Sequence, residues 1–66
     1  MEVIVNGQSV TCPEGCTMAA LLEQLQIPTA GTAAARNDRV VRKALYAETP
    51  LAPGDRIEII RAVGGG

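Results

Sequence analysis

The sequence predicts an α+β domain in which a mixed sheet of four to five strands packs on one helix. Three observations carry that expectation. Met1 to Val5 alternates β-branched residues and runs into Asn6-Gly7; Met18, Leu21, Leu22 and Leu25 recur at i, i+3, i+4 and i+7; and Arg56 to Arg61 sets Ile57 and Ile59 on one side with Glu58 and Ile60 on the other.

Asn-Gly between apolar alternations is the strongest short-range hairpin signal, since both residues tolerate positive φ. Met1–Val5 is therefore the outgoing strand and Gln8–Cys12 the return, ended by a turn at Pro13-Glu14-Gly15. Thr17 is placed to cap the following helix through its hydroxyl. The four apolar residues from Met18 to Leu25 share one helix face, Glu23 and Gln24 fall on the other, and Pro28 is expected to stop the helix. Thr29 to Gly31 reads as loop, Thr32–Asn37 as a small-residue strand, and Arg39–Val41 as a short strand paired back on it. Residues 42–53 look irregular, with Leu45 and Leu51 as core plugs, and Pro53-Gly54-Asp55 forms a turn before the last strand.

One helix needs an apolar sheet face, which the first hairpin and the last strand supply together. Val3 and Val5 then face the helix beside Ile57 and Ile59, and the first and last strands lie adjacent and parallel. That is a β-grasp, ubiquitin-like arrangement. It sends Ile4 and Ile60 out from the opposite face on neighbouring strands, as isolated exposed residues or as a partner surface.

Sixty-six residues make one small domain with a thin stability margin. There is no Trp or Phe, and Tyr46 is the single aromatic, which argues against a base-stacking platform for single-stranded nucleic acid. The net charge of −1 is unevenly placed: residues 1–35 hold Glu2, Glu14 and Glu23 with no Lys or Arg, and all six basic residues lie beyond them. Such a division can steer an acidic protein partner, but the basic half is too mixed with acids for a nucleic-acid footprint. No apolar run approaches the ~20 residues that span a bilayer, and the acidic start does not resemble a signal peptide, so the expectation is a cytoplasmic protein with no membrane partner.

Two cysteines without any histidine cannot complete a tetrahedral zinc site, and no metal site is expected. The spacing of Cys12 and Cys16 is not that of C-x-x-C redox sites; they read as small packing residues or as a redox or thiol-relay pair. Nucleophilic triads and paired carboxylates are missing, so no catalytic residue is assigned and the chain is not expected to be an enzyme. One reactive group remains, the α-carboxylate of Gly66 on the side-chain-free run Gly64-Gly65-Gly66. The run is either a frayed terminus or an arm slender enough for a narrow cleft. A carboxylate is inert until it is converted to a mixed anhydride with a nucleotide phosphate, after which a sulfur nucleophile gives a thiocarboxylate.

The strand–Asn6-Gly7–strand opening, the helix Leu21-Leu22-Glu23-Gln24-Leu25, the run Pro50 to Ile59 and the ending Arg61-Ala62-Val63-Gly64-Gly65-Gly66 together resemble the ThiS family. These are ubiquitin-like sulfur carriers of thiamine biosynthesis, within the MoaD/ThiS group, and the resemblance covers essentially the whole chain. It differs at Asn37-Asp38-Arg39-Val40-Val41-Arg42, where relatives often read Asn-Gly-x-x-Val-Pro, a difference that bears on the local turn.

The resemblance implies a single β-grasp domain over 1–66 with a flexible arm at 62–66. It makes Gly66 the residue that is adenylated and turned into a thiocarboxylate. Val63, Gly64 and Gly65 would enter the partner active site, with Ala62 and Val63 anchoring the base of the arm; Ala62 thereby joins the partner surface that the strand faces place at Ile4 and Ile60. The implied partners are an E1-like adenylyltransferase (ThiF-type) that uses ATP and magnesium, a thiazole synthase (ThiG-type) and a sulfur-donor protein. The carrier itself binds no cofactor. The small subunit of molybdopterin synthase, a ubiquitin-like modifier joined to lysines, and a plain interaction module remain as rivals.

Overall fold

The structure, a computed structural model, describes residues 1–61. Strand β1 (Glu2–Val5) turns at Asn6-Gly7 into β2 (Gln8–Thr11), and both turn residues take positive φ (49° and 84°), as a type I′ turn requires. Helix α1 (Met18–Gln24) comes next, with Thr17 Oγ1 accepting the Ala20 N–H at 3.2 Å. The N-cap therefore forms as the sequence implies.

The helix ends by a different device from the expected one. Gln26 adopts φ 58°, its N–H donates to the Glu23 carbonyl, and the Ile27 N–H reaches back to the Leu22 carbonyl at 2.9 Å. This is a Schellman closure, and it terminates α1 before Pro28 can act. A glutamine in the left-handed region bears a steric cost that glycine would avoid.

Strand β3 (Thr32–Arg36) turns at Asn37-Asp38 into β4 (Arg39–Val41). Both turn residues have positive φ (50° and 69°), so Asp38 fills the position that glycine commonly takes. Residues 43–48 are not irregular but form a 3₁₀ helix, Lys43–Glu48. Leu45 is 45% exposed there, whereas Tyr46 is 2% exposed and belongs to the core. Successive 3₁₀ residues point about 120° apart, so only one of these neighbours can face α1. The aromatic ring, with more apolar area to bury, takes that place. Leu51 is buried as expected.

Strand β5 (Arg56–Arg61) closes the sheet in the order β2-β1-β5-β3-β4. It is parallel to β1 (Ile4 opposite Arg56, Val5 opposite Ile57) and antiparallel to β3 from Thr32–Arg61 to Arg36–Ile57. Val3, Val5, Ala34, Ile57 and Ile59 line the inner face against Met18, Leu21 and Leu22. This is the β-grasp arrangement.

Asp55, at the entry to β5, is 7% exposed and carries a concentrated set of bonds. It accepts from Arg36 Nε at 2.7 Å, Asn37 Nδ2 at 3.1 Å and the Ala52 N–H at 2.8 Å. Burial opposes its ionisation, yet the Ala52, Arg36 and Asn37 donors outweigh burial and hold the carboxyl below its ordinary value. Because the folded pKa is the lower one, the stabilisation is complete above the unfolded-state value, near about 4. It is lost as pH falls through the folded value. Asp55→Asn is expected to cost roughly 1–3 kcal/mol in urea unfolding at neutral pH, since it removes the charge-assisted bond from Arg36 and leaves one acceptor oxygen for the three donors. Its stability should also fall less than the parent's on acidification; equal acid slopes in the two proteins would refute this role for Asp55.

Candidate functional site

The outward face of the sheet is set by register. Opposite Val3 and Val5, Ile4 points outward from β1; on β5 the outward positions are Arg56, Glu58 and Ile60; on β3 they are Ala33 and Ala35; and Val40 stands opposite Ala35 on β4. Ile60 is 66% and Val40 78% exposed. Between them the alanines of β3 leave a shallow floor, so the exposed apolar surface runs from β5 across β3 to β4.

Ile4 and Ile60 do share this face and lie on adjacent strands. Ile4 is level with Arg56, however, so four residues of β5, about 13 Å, separate it from Ile60. The cross-strand neighbour of Ile60 is Ala33. Ile4 is half-buried and lines a separate cleft of about 270 Å³ with Asn6, Gly7, Asp38, Arg56 and Glu58. An Arg56–Asp38 ion pair at 3.0 Å crosses this region, with both side chains more than half exposed, and such a pair contributes little to stability. The face thus has an apolar part at Ile60 and Val40 and a polar part around Ile4. Sequence reasoning missed Ala33, Ala35 and Val40, although the alanine-rich composition of β3 was the available signal.

The remaining site residues assigned from sequence, Ala62, Val63, Gly64, Gly65 and Gly66, lie outside the described residues. What the fold fixes is their point of attachment. Arg61 ends a strand paired with β3 from Ile57 onward and with β1 at Arg56 and Ile57, and its own partner is Thr32. Among the described residues no cluster of three or more His, Cys, Asp or Glu side chains could hold a metal ion. No helix among them is long and apolar enough to cross a membrane.

A second groove, about 410 Å³, lies between α1 and the 3₁₀ helix, lined by Ala19, Thr29, Ala30, Lys43, Ala44 and Tyr46. It offers one ammonium and one phenol without a carboxylate or imidazole to activate them.

Comparison with known proteins agrees with this geometry. The ThiS family model matches residues 3–66. The sulfur carrier protein ThiS of Escherichia coli is 35% identical over 66 residues, and the alignment spans all of both chains. A thiazole synthase of Paramagnetospirillum magneticum is 33% identical over the whole of this chain, which spans 20% of that protein's length. The crystal structure of the thiamine biosynthesis protein (ThiS) from Geobacter metallireducens superposes with a TM-score of 0.85, at 28% identity and complete coverage of both chains.

The two faces of β5 make opposite demands on substitution. Ile60→Asp should leave the far-ultraviolet circular dichroism unchanged and cost about 1 kcal/mol or less, a strand-propensity effect. Ile57→Asp, at a position 1% exposed, should abolish the cooperative thermal transition. Unfolding of the Ile60 variant would show that the outward face is needed for packing.

Proposed function

The chain belongs to the ThiS family, and from that premise we propose that it is a sulfur carrier for thiamine biosynthesis whose working group is the carboxylate of Gly66. The observation that carries this reading is the end-to-end correspondence with a sulfur carrier of the same length, on the same fold. The fold supports such a role by holding β5, the strand that leads to the tail, between β1 and β3.

In this reading the Gly66 carboxylate attacks the α-phosphorus of ATP in an E1-like, ThiF-type enzyme, which supplies the magnesium. Pyrophosphate leaves and an acyl adenylate forms. Hydrosulfide released by a sulfur-donor protein then adds to the carbonyl carbon, and AMP departs with the bonding electron pair, leaving a thiocarboxylic acid that loses its proton to give the thiocarboxylate. Glycine suits each step because no Cβ crowds the carbonyl and Gly64 and Gly65 can extend through a narrow channel. The thiocarboxylate sulfur is then given up in thiazole formation. A thiazole synthase is favoured as acceptor because this chain matches a segment of such an enzyme over its whole length. The protein is accordingly a co-substrate rather than an enzyme, and we place its reactions in the cytoplasm.

The test is intact-mass measurement after incubation with ATP, magnesium, an E1-like partner and a sulfur source. A gain equal to replacing one oxygen by sulfur is expected, and a chain truncated after Val63 should fold yet gain nothing. Conjugates on lysines would favour a protein modifier instead, and sulfur on the truncated chain would overturn the assignment of Gly66. Ile60→Asp should weaken binding to the adenylating partner while the body stays folded.

A further inference from the structure

Cys12 and Cys16 take no part in the carrier chemistry proposed for Gly66. Both are free and buried, at 2% and 6% exposure, within one core cluster. The turn Pro13-Glu14-Gly15 brings the chain back between them: the Cys16 N–H donates to the Pro13 carbonyl at 3.1 Å, and Gly15 takes φ 81°. Each end of this short loop is anchored separately. The Cys12 N–H donates to the Met1 carbonyl at 2.8 Å, and the Met1 ammonium donates to the Cys12 carbonyl at 2.7 Å. On the other side, the Leu51 N–H donates to the Cys16 carbonyl at 2.8 Å. Burial pushes the Cys16 thiol above its ordinary value, and the adjoining Cys12 thiol pushes it further the same way.

We propose that Cys12 and Cys16 form a reversible intramolecular disulfide that staples the end of β2 to the start of α1 when the surrounding thiol pool becomes oxidising. The oxidant class is a low-molecular-weight disulfide such as glutathione disulfide. One cysteine thiolate attacks it, expelling glutathione thiolate and leaving a mixed disulfide; the second cysteine thiolate then attacks the protein sulfur and expels the other glutathione. Two protein thiols are oxidised, one glutathione disulfide is reduced to two thiols, and the two cysteine protons end on them. The raised Cys16 thiol and the burial of both sulfurs make the exchange slow at neutral pH, so the pair responds to sustained oxidation.

The staple is remote from the proposed working end. Thr11 pairs with Glu2 at the beginning of β1, whereas β5 runs parallel to β1 and leaves the sheet beyond its other end. It therefore tightens the body and leaves the exit of the tail unchanged. The same separation argues against a relay from these thiols to Gly66 within one chain.

The test uses linkage: if the native fold holds the sulfurs at bonding distance, the disulfide stabilises the fold and the fold equally favours the disulfide. The full chain is equilibrated with reduced and oxidised glutathione in native buffer and in concentrated urea, starting from both the reduced and the oxidised protein. Free thiols are then alkylated and intact masses recorded. The expected native equilibrium constant exceeds the urea value by on the order of tenfold, with an oxidised-chain Tm higher by roughly 10 °C. A native constant equal to or below the urea value would show that the fold keeps the sulfurs apart and would overturn the proposal. Glutathione adducts or disulfide-linked dimers as the main native product would do the same.

Discussion

Everything in this fold depends on holding β5 parallel to β1 across some fifty residues of intervening chain. The ladder itself is brief, with the Ile4 N–H donating to Asp55 at 2.8 Å and the Asn6 N–H to Ile57 at 2.9 Å. Two turn asparagines hold the central strand further, Asn6 from the β1 side and Asn37 from the β3 side. Asn6 accepts the Ile59 N–H at 2.9 Å and donates back to the Ile59 carbonyl at 3.3 Å. Asn37 accepts the Arg56 N–H at 2.9 Å and donates to the Asp55 carboxylate. Each asparagine thus does two things: it tolerates the left-handed backbone of a type I′ turn, and its amide clips the central strand. Glycine would satisfy the first requirement alone. A parallel pairing of such sequence separation carries a large closure entropy, and these side-chain bonds help to offset it.

The clips explain why the body can present the segment beyond Arg61 from a fixed place. β5 is flanked by β1 on one side and by β3 along its length on the other, and its inner face is sealed by α1 through Ile57 and Ile59. The Asp55 node fixes where the strand begins, by tying the preceding turn to Arg36 and Asn37. A fixed base contributes positional accuracy to any segment it delivers, because less of the binding energy is spent on ordering the body.

The division between what local chemistry announces and what only tertiary structure decides is visible residue by residue. Asn6-Gly7, the Thr17 cap and the alternation of Ile57 and Ile59 were legible because turn, cap and strand signals are local. The left-handed Gln26 was not, since a proline two residues later offers the more obvious stop. Leu45 and Tyr46 are adjacent apolar residues, and choosing between them needs the position of α1. The offset between Ile4 and Ile60 is a matter of register, which is set by pairing partners rather than by either strand's own pattern. For the candidate site, the glycine tail was legible as a motif, and its chemistry rests on family membership. The alanine floor under Ile60 and Val40 was hidden because small residues announce little until their neighbours are known.

The chemical poverty of the body acquires a reason within the carrier reading. An acyl adenylate is captured by any nearby amine or thiolate, and self-capture would end the cycle. This chain has five arginines against one lysine, and no histidine. Guanidinium groups stay protonated and do not attack acyl groups, so Arg56 and Arg61 can place positive charge on the strand that delivers the tail without threatening it. The single lysine, Lys43, sits on the 3₁₀ helix beside the groove against α1. Both thiols are buried, and they lie toward the end of the sheet away from Arg61. In the carrier reading the two thiols are thus held at the sheet end opposite Arg61, which leaves the choice of attacker to groups supplied by partners.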